Sequence, residues 1–310
     1  MSAARAVVFA YHDVGVRCLK VLLSAKVKVP LVVTVRDDPK ENRWFASVSD
    51  TAREHGLPVA MPDEADDAAL AERVTQLEPD FIFSFYYRSM LGAPLLRSAR
   101  RGALNMHGSL LPKYRGRAPV NWAILNGELQ SGATLHYMVE RADAGDIVDQ
   151  LAVPILEDDD AREVFGKVTT AAEIVLARSL PGLVEGNAPR RPQPIEPGQY
   201  FGRRRPEDGA IDWTQPAVRI HNLVRAVAPP FPGAFTEIGG RRWWIHRTRV
   251  EPRIIAPPEG GARLFGSQGA CYAACSDGGV LRILAAATAD GPVDIEQAAR
   301  ELEAHPAALE

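Results

Sequence analysis

The sequence predicts an α/β domain built on a parallel sheet, followed by a smaller β-rich domain. Three observations carry this. Short apolar runs alternate with helical stretches through the first half of the chain. Residues 187–198 are dense in proline, with Pro189, Pro192, Pro194 and Pro197, so they cannot propagate a helix or enter a sheet interior and read as an extended linker. Beyond them come short strand-like runs around one amphipathic helix. A chain of 310 residues is long for one small domain, and the predicted boundaries are 1–187, a linker over 188–200, and 201–310.

In chain order, Ala6-Val7-Val8-Phe9-Ala10 is an apolar run typical of a buried parallel strand. Tyr11 to Gly15 turns into a helix reaching about Lys26, and Leu31 to Val35 repeats the strand signal. A helix from Arg43 to His55 is closed by Gly56 and Pro58. A further helix over 68–76 leads into the strand Asp80 to Phe85. This alternation implies right-handed crossovers and a Rossmann-like sheet covered on both faces. The dinucleotide fingerprint is nevertheless missing, because the first strand–helix turn offers only Gly15, and no glycine-rich loop ends in Gly-Lys-Ser/Thr. No nicotinamide cofactor is expected. His12, at the first strand's end, stays open between a turn residue and an entrance residue.

The stretch Ala103 to Trp122, ALNMHGSLLPKYRGRAPVNW, organises the chain. Its first five residues read as a strand, so Asn105 and His107, two apart, project from the same face. They sit where open α/β sheets bind ligands, at a carboxyl end. Gly108 and Ser109 leave room there, and Pro112 and Gly116 punctuate a loop carrying Lys113, Tyr114, Arg115 and Arg117. An Asn amide can donate to a developing oxyanion, and a His can move a proton near neutral pH. Downstream, Asp143 follows a strand-like run over 133–139 and can hold an imidazole in one tautomer and favour its protonated form. His136 on that run reads as packing in preference to pocket lining. A helix from Ala118 to about Asn126, a strand over 147–155 and a long helix over 161–185 complete the domain.

The second part has a helix over 216–228 and strands near Ala234, Trp243, Cys271 and Leu281. Gly239-Gly240 before Arg241-Arg242-Trp243-Trp244 predicts a hairpin, and 294–304 a short helix followed by a loose tail.

Composition narrows the function classes. Hydrophobic residues make up 46% and charged ones 24%, ordinary for a globular protein, and the net charge of −3 argues against a general nucleic-acid binder. No apolar run approaches bilayer-spanning length, and the N-terminus lacks a secretory pattern, so no membrane insertion is expected. The three cysteines cannot all pair, and Cys271 and Cys275 have no further ligand at zinc spacing. The expected compartment is cytoplasmic, with no metal.

The motifs NMHGSLLPKYRGRAP and TLHYMVERADAGDIV resemble the folate-dependent formyltransferases, which include enzymes acting on methionyl-tRNA, glycinamide ribonucleotide and nucleotide sugars. Phe83 to Arg88, Phe201 to Arg204 and Val224 to Val227 resemble most the formyltransferase domain of the bifunctional UDP-4-amino-4-deoxy-L-arabinose enzyme. The resemblance implies a C-terminal barrel of the oligonucleotide-binding type. It implies formyl transfer from 10-formyltetrahydrofolate to a UDP-linked 4-amino sugar, feeding lipid A modification and cationic-peptide resistance. Asn105 then stabilises the oxyanion, His107 is the general acid–base, and Asp143 orients His107 and raises its basicity. By position, the folate slot takes Ser89, Met90, Leu91, Arg117, Val139, Glu140, Arg141, Ala142 and Asp143, and Tyr87 and Arg204 meet the substrate. For Met90 and Leu91 core packing stays open. Arg203 to Arg205 stay open between a diphosphate site and a solvated face. The chain ends before the decarboxylase domain of the bifunctional relatives, so a separate decarboxylase is expected, and the oligomeric state is unknown.

Overall fold

The computed structural model describes residues 4–36, 42–63, 68–196, 200–257 and 261–309. It divides into two compact units: Met1–Pro119 with Gln130–Val153 and Gly166–Gly202, and Val120–Leu129 with Pro154–Phe165 and Arg203–Glu310.

The first unit is built on a seven-stranded sheet. In chain order its elements are β1 (Arg5–Ala10), α1 (His12–Ser24), β2 (Lys28–Val33), α2 (Val48–Glu54), β3 (Val59–Ala60), α3 (Ala68–Gln76), β4 (Phe81–Phe85), α4 (Ala93–Ser98) and β5 (Gly102–His107). Then come β6 (Arg115–Gly116), α5 (Pro119–Leu125), β7 (Gln130–Tyr137), β8 (Ile147–Pro154), α6 (Ala161–Glu185) and β9 (Tyr200–Phe201); α5 and the start of α6 count with the second unit. The order β3-β2-β1-β4-β5-β7-β8 reverses between β1 and β4, the kind of switch point at which open sheets take ligands. From β3 to β5 every pairing is parallel. β7 then runs antiparallel to β5, where sequence alternation alone had suggested a purely parallel sheet. The strands are apolar because both faces are covered: Val7, Val8, Phe9, Ile82 and Phe83 have no accessible surface. Gly15 serves close packing, since a Cβ there would lie 3.0 Å from Val48 and 3.1 Å from Ala10.

The second helix is shorter than expected. It begins at Val48 and not at Arg43, because Ser47 caps it by accepting from Asp50 N–H at 3.2 Å. Upstream, Trp44 and Phe45 pack on His12 instead, at ring-centroid distances of 4.6 and 3.9 Å. The strand expected over 31–35 is shifted to Lys28–Val33, and that expected over 133–139 to Gln130–Tyr137.

The second unit adds α7 (Ala217–Val227), β10 (Ala234–Ile238), β11 (Arg241–Val250), β12 (Arg263–Ser267), β13 (Ala270–Ala274), β14 (Val280–Thr288), β15 (Gly291–Pro292), α8 (Ile295–Ala304) and β16 (Ala307–Ala308). Its strands, ordered β10-β11-β14-β13-β12-β16, form a nearly closed antiparallel barrel. The expected hairpin is present: Gly239 and Gly240 both have positive φ, 56° and 73°, as a two-residue turn between twisted strands requires. Trp213, Ile220, Val224, Ile245, Leu281 and Ile283 fill the core. Buried Arg225 on α7 donates to the carbonyls of Leu156 and Asp159 and to Asn222 Oδ1, which joins residues 154–160 to this unit. The end of the chain is not a loose tail, because Ala307 and Ala308 pair with Leu264 and Arg263 on β12, and Leu309 is buried. All three cysteines are buried and unpaired with one another.

Candidate active site

Two adjacent strands and one loop build the site. The antiparallel register sets Asn105 of β5 opposite His136 of β7, and His107 opposite Thr134, so four polar side chains share one face. The loop after β7 folds back, with Tyr137 N–H donating to Asp146 O at 2.9 Å. This return is close: a Cβ on Gly145 would lie 2.0 Å from the Tyr137 carbonyl oxygen. Asp143 takes a left-handed φ of 51° and turns its carboxylate toward β5.

That carboxylate is the centre of the cluster. Asp143 Oδ1 lies 3.6 Å from His107 Nδ1, 3.6 Å from His136 Nε2 and 3.4 Å from Asn105 Nδ2. Asp143 Oδ2 accepts from Gly116 N–H at 2.9 Å. Gly116 sits at φ 100°, and a Cβ there would come 2.3 Å from Phe201 O, so only glycine fits. Burial pushes the Asp143 carboxyl up, but the His107 and His136 imidazoles and the Gly116 N–H more than reverse this and hold it well below the usual carboxylate range.

Carbonyl partners set the ring tautomers. A carbonyl only accepts, so His107 Nε2–H donates to Tyr114 O at 2.8 Å, leaving Nδ1 toward Asp143. In the same way His136 Nδ1–H donates to Tyr137 O at 2.9 Å, and its Nε2 lies 3.2 Å from Asn105 Nδ2 and 3.6 Å from Asp143 Oδ1. His107 is thus fixed at one nitrogen and able to exchange a proton at the other. His107 and His136 are buried at 6% and 1% exposure, so neither reaches bulk water freely.

The surrounding loop is braced from β7 and β8. Thr134 Oγ1–H donates to Ser109 O and accepts from Leu111 N–H, while Gln150 donates to Leu111 O and to Thr134. Gly108 gives the strand end its room, since a Cβ there would fall on the Tyr86 hydroxyl.

The structure places the other expected residues unevenly. Ser89 and Met90 are exposed, whereas Leu91 is buried in the core with Val7, Ile82 and Leu95. Tyr87 packs edge-on against Phe9, with ring centroids 5.4 Å apart. Arg117, Val139, Glu140 and Arg141 are exposed, and Ala142 is half-buried. Arg204, in the second unit, lies 4.9 Å from the Trp122 ring and donates to Asp208 O, and its Nε is buried without an acceptor among the described residues. Of the polar proposals, only Asn105, His107 and Asp143 converge. His12, with its Nδ1 accepting from Asp13 N–H, is held neutral to about pH 3 by burial and by the Arg88 charge.

His136 is the correction. Packing was preferred for it over pocket lining, yet its ring nitrogen faces the same carboxylate as His107. The signal was present in the two-residue spacing of Thr134 and His136, but using it needs the antiparallel register with β5, which depends on the chain returning. Gln193 was missed too, hidden in the proline-rich stretch. It donates to Asp143 O at 3.1 Å and Gly145 O at 2.6 Å. Pro197 and Gly198 of that stretch lie outside the described residues. No group of His, Cys, Asp and Glu among the described residues is arranged to hold a metal ion. None of the helices described is long and apolar enough to cross a membrane.

Comparison with known proteins gives two matches to family descriptions: formyl transferase over residues 10–180, and formyl transferase, C-terminal domain, over 204–302. Among solved structures, an N-formyltransferase from Helicobacter canadensis, in complex with folinic acid and dTDP-3-aminofucose, is similar at 21% identity and a TM-score of 0.73, over 91% of this chain and 99% of that one. WlaRD, a sugar 3N-formyltransferase solved in the presence of dTDP and 5-N-formyl-THF, is similar at 18% identity and a TM-score of 0.71, over 95% and 99%. A 4-N formyltransferase from Francisella tularensis is similar at 21% identity and a TM-score of 0.63, over 77% and 95%.

Proposed function

Because the chain belongs to the formyl transferase family, we propose that it transfers the formyl group of 10-formyltetrahydrofolate to the 4-amino group of UDP-4-amino-4-deoxy-L-arabinose. The observation that carries the chemistry is the convergence of Asn105, His107 and Asp143 at the carboxyl end of β5, with Asn105 and His107 both within 3.6 Å of one Asp143 carboxylate oxygen. Folate compounds and nucleotide-linked amino sugars named with the similar structures support the donor and the acceptor class.

In this reading the neutral amine attacks the formyl carbon and forms a tetrahedral intermediate. Its oxyanion takes an N–H from Asn105, which gives up the 3.4 Å contact to Asp143, a bond too long to cost much. His107 accepts the amine's proton at Nδ1, since Nε2 is committed to Tyr114 O. The carboxylate of Asp143 stabilises the imidazolium so formed. His107 then returns the proton to the folate nitrogen as the bond from carbon to that nitrogen breaks. The N-formyl sugar and tetrahydrofolate leave, and atoms and charge balance. His136 keeps the Asn105 amide and the Asp143 carboxylate in register. No metal enters these steps, because hydrogen bonds handle the charge.

The acceptor rests on two features. Arg204 offers a buried Nε–H with no acceptor among the described residues, which suits a diphosphate oxygen. From Phe201 onward the sequence has no Lys, and its Arg are roughly balanced by Asp and Glu, a poor platform for a tRNA arm. A second reading, transfer to another nucleotide-linked amino sugar, is favoured by the dTDP-3-aminofucose of the Helicobacter protein. With 10-formyltetrahydrofolate and matched concentrations of acceptor, the expected product is the N-formylated UDP-amino-arabinose, detected by mass spectrometry. Efficient formation of formyl-methionyl-tRNA with the UDP sugar unmodified overturns the assignment, and formylation of a dTDP sugar alone selects the second reading. The reaction would supply lipid A modification and cationic-peptide resistance, with its substrate made by a separate oxidative decarboxylase in the cytoplasm.

A further inference from the structure

We infer that Gln193, in the proline-rich stretch after α6, is a positioning residue that locks the Asp143 turn and so aligns the proton-transfer site. The inference rests on the reading of the Asn105, His107 and Asp143 cluster given above.

The stretch does not simply span. Arg191 exchanges both backbone hydrogen bonds with Ile147, at 2.8 and 2.9 Å, beside the start of β8. The Arg190 guanidinium lies 3.8 Å from the centroid of the Tyr137 ring. Arg191 and Gln193 each precede a proline, which biases both toward extended backbone and presents the Gln193 side chain in a fixed direction. That side chain meets the turn between Tyr137 and Ile147. Its Nε2 donates to Asp143 O and to Gly145 O, at 3.1 and 2.6 Å. Two carbonyls can only accept, so the amide orientation is forced. The cost of this orientation is visible: Gln193 Oε1 is buried with no hydrogen-bond partner among the described residues. An orphaned buried acceptor is unfavourable, so the two donor bonds are what holds the amide there.

The turn needs such a brace. Asp143 at φ 51° adopts a left-handed conformation that few residues other than glycine take, although Asp and Asn tolerate it better than most. In that conformation one carboxylate oxygen faces His107 and His136 while the other accepts from Gly116 N–H. Without Gln193, the carbonyls of residues 143 and 145 lose their partner, and the turn can relax toward an ordinary backbone. Its hydrogen bonds go to the backbone carbonyls of Asp143 and Gly145, so it acts through the turn that carries the carboxylate.

Two variants test this, Gln193→Met and Gln193→Glu, which keep the length and remove the two donors at neutral pH. The readout independent of turnover is the Gly116 amide proton, which reports whether the Asp143 carboxylate is in place. In folded protein of each variant, this resonance is expected to move upfield and exchange faster. The value of kcat is expected to fall about 10- to 100-fold with KM for the formyl donor changed less than about twofold, as a misplaced catalytic group requires. An unmoved Gly116 resonance in both variants overturns the inference, whatever the activity. So does a change confined to thermal stability, with kcat and the resonance both retained. Because the resonance needs no substrate, a failure of the formyl-transfer reading leaves this result interpretable by itself.

Discussion

His107→Ala is expected to lower kcat by roughly 10²–10⁴-fold, the range for loss of a general acid–base. The ring is buried, tied at Nε2 to the Tyr114 carbonyl and directed at Nδ1 toward Asp143. His136, the other imidazole on this face, is engaged by Tyr137 O at Nδ1 and by Asn105 at Nε2. The loss should appear in kcat and leave KM for the donor within a few-fold. Asp143→Ala acts mainly through the same imidazole, so the double variant His107→Ala/Asp143→Ala should fall well short of the product of the single losses. Steady-state kinetics on purified protein with an unchanged unfolding temperature make the check. Near-normal turnover by folded His107→Ala protein contradicts the mechanism.

Asn105→Ala is the second large effect, on the order of 10²–10³-fold in kcat, as for loss of one oxyanion donor. The amide is placed by the strand register opposite His136 and held by two contacts, so removing it has two consequences. The oxyanion loses its donor, and His136 Nε2 loses its partner in a buried site. Asn105→Asp is a harsher test of the same point, because it sets a second negative charge beside Asp143 and against the oxyanion. Its activity is expected to fall below that of Asn105→Ala. If Asn105→Asp instead exceeds Asn105→Ala, the side chain is not an oxyanion donor.

Much of the site was legible because it lies on one strand. Alternation along β5 put Asn105 and His107 on one face, and the glycine after them marked the strand end; both hold in the structure. Asp143 was picked out by its place in the loop after a strand-like run, and the resemblance added that it serves His107, since sequence alone does not say which distant carboxylate returns to which His. His136 and Gln193 were illegible for related reasons. The role of His136 follows from an antiparallel register set by the return of β7, and that of Gln193 from a single side chain in a segment whose prolines announce only extension. The fold shows the same division. Alternating apolar runs and the Gly239-Gly240 turn report local periods, and these were read correctly. The start of α2 and the strand at 307–308 depend on what the neighbouring chain offers: a Ser47 cap with an aromatic cluster on His12, and the open edge of β12.

The most direct measurement is the coupling of donor consumption to acceptor formylation. Purified protein is given 10-formyltetrahydrofolate, with and without UDP-4-amino-4-deoxy-L-arabinose, and tetrahydrofolate, formate and N-formyl product are counted together. The account predicts tetrahydrofolate only when the acceptor is present, with one N-formyl sugar for each tetrahydrofolate and no formate. Tetrahydrofolate and formate appearing at the same rate without any acceptor would mean that water takes the place of the amine, and would contradict the assignment of the site to formyl transfer.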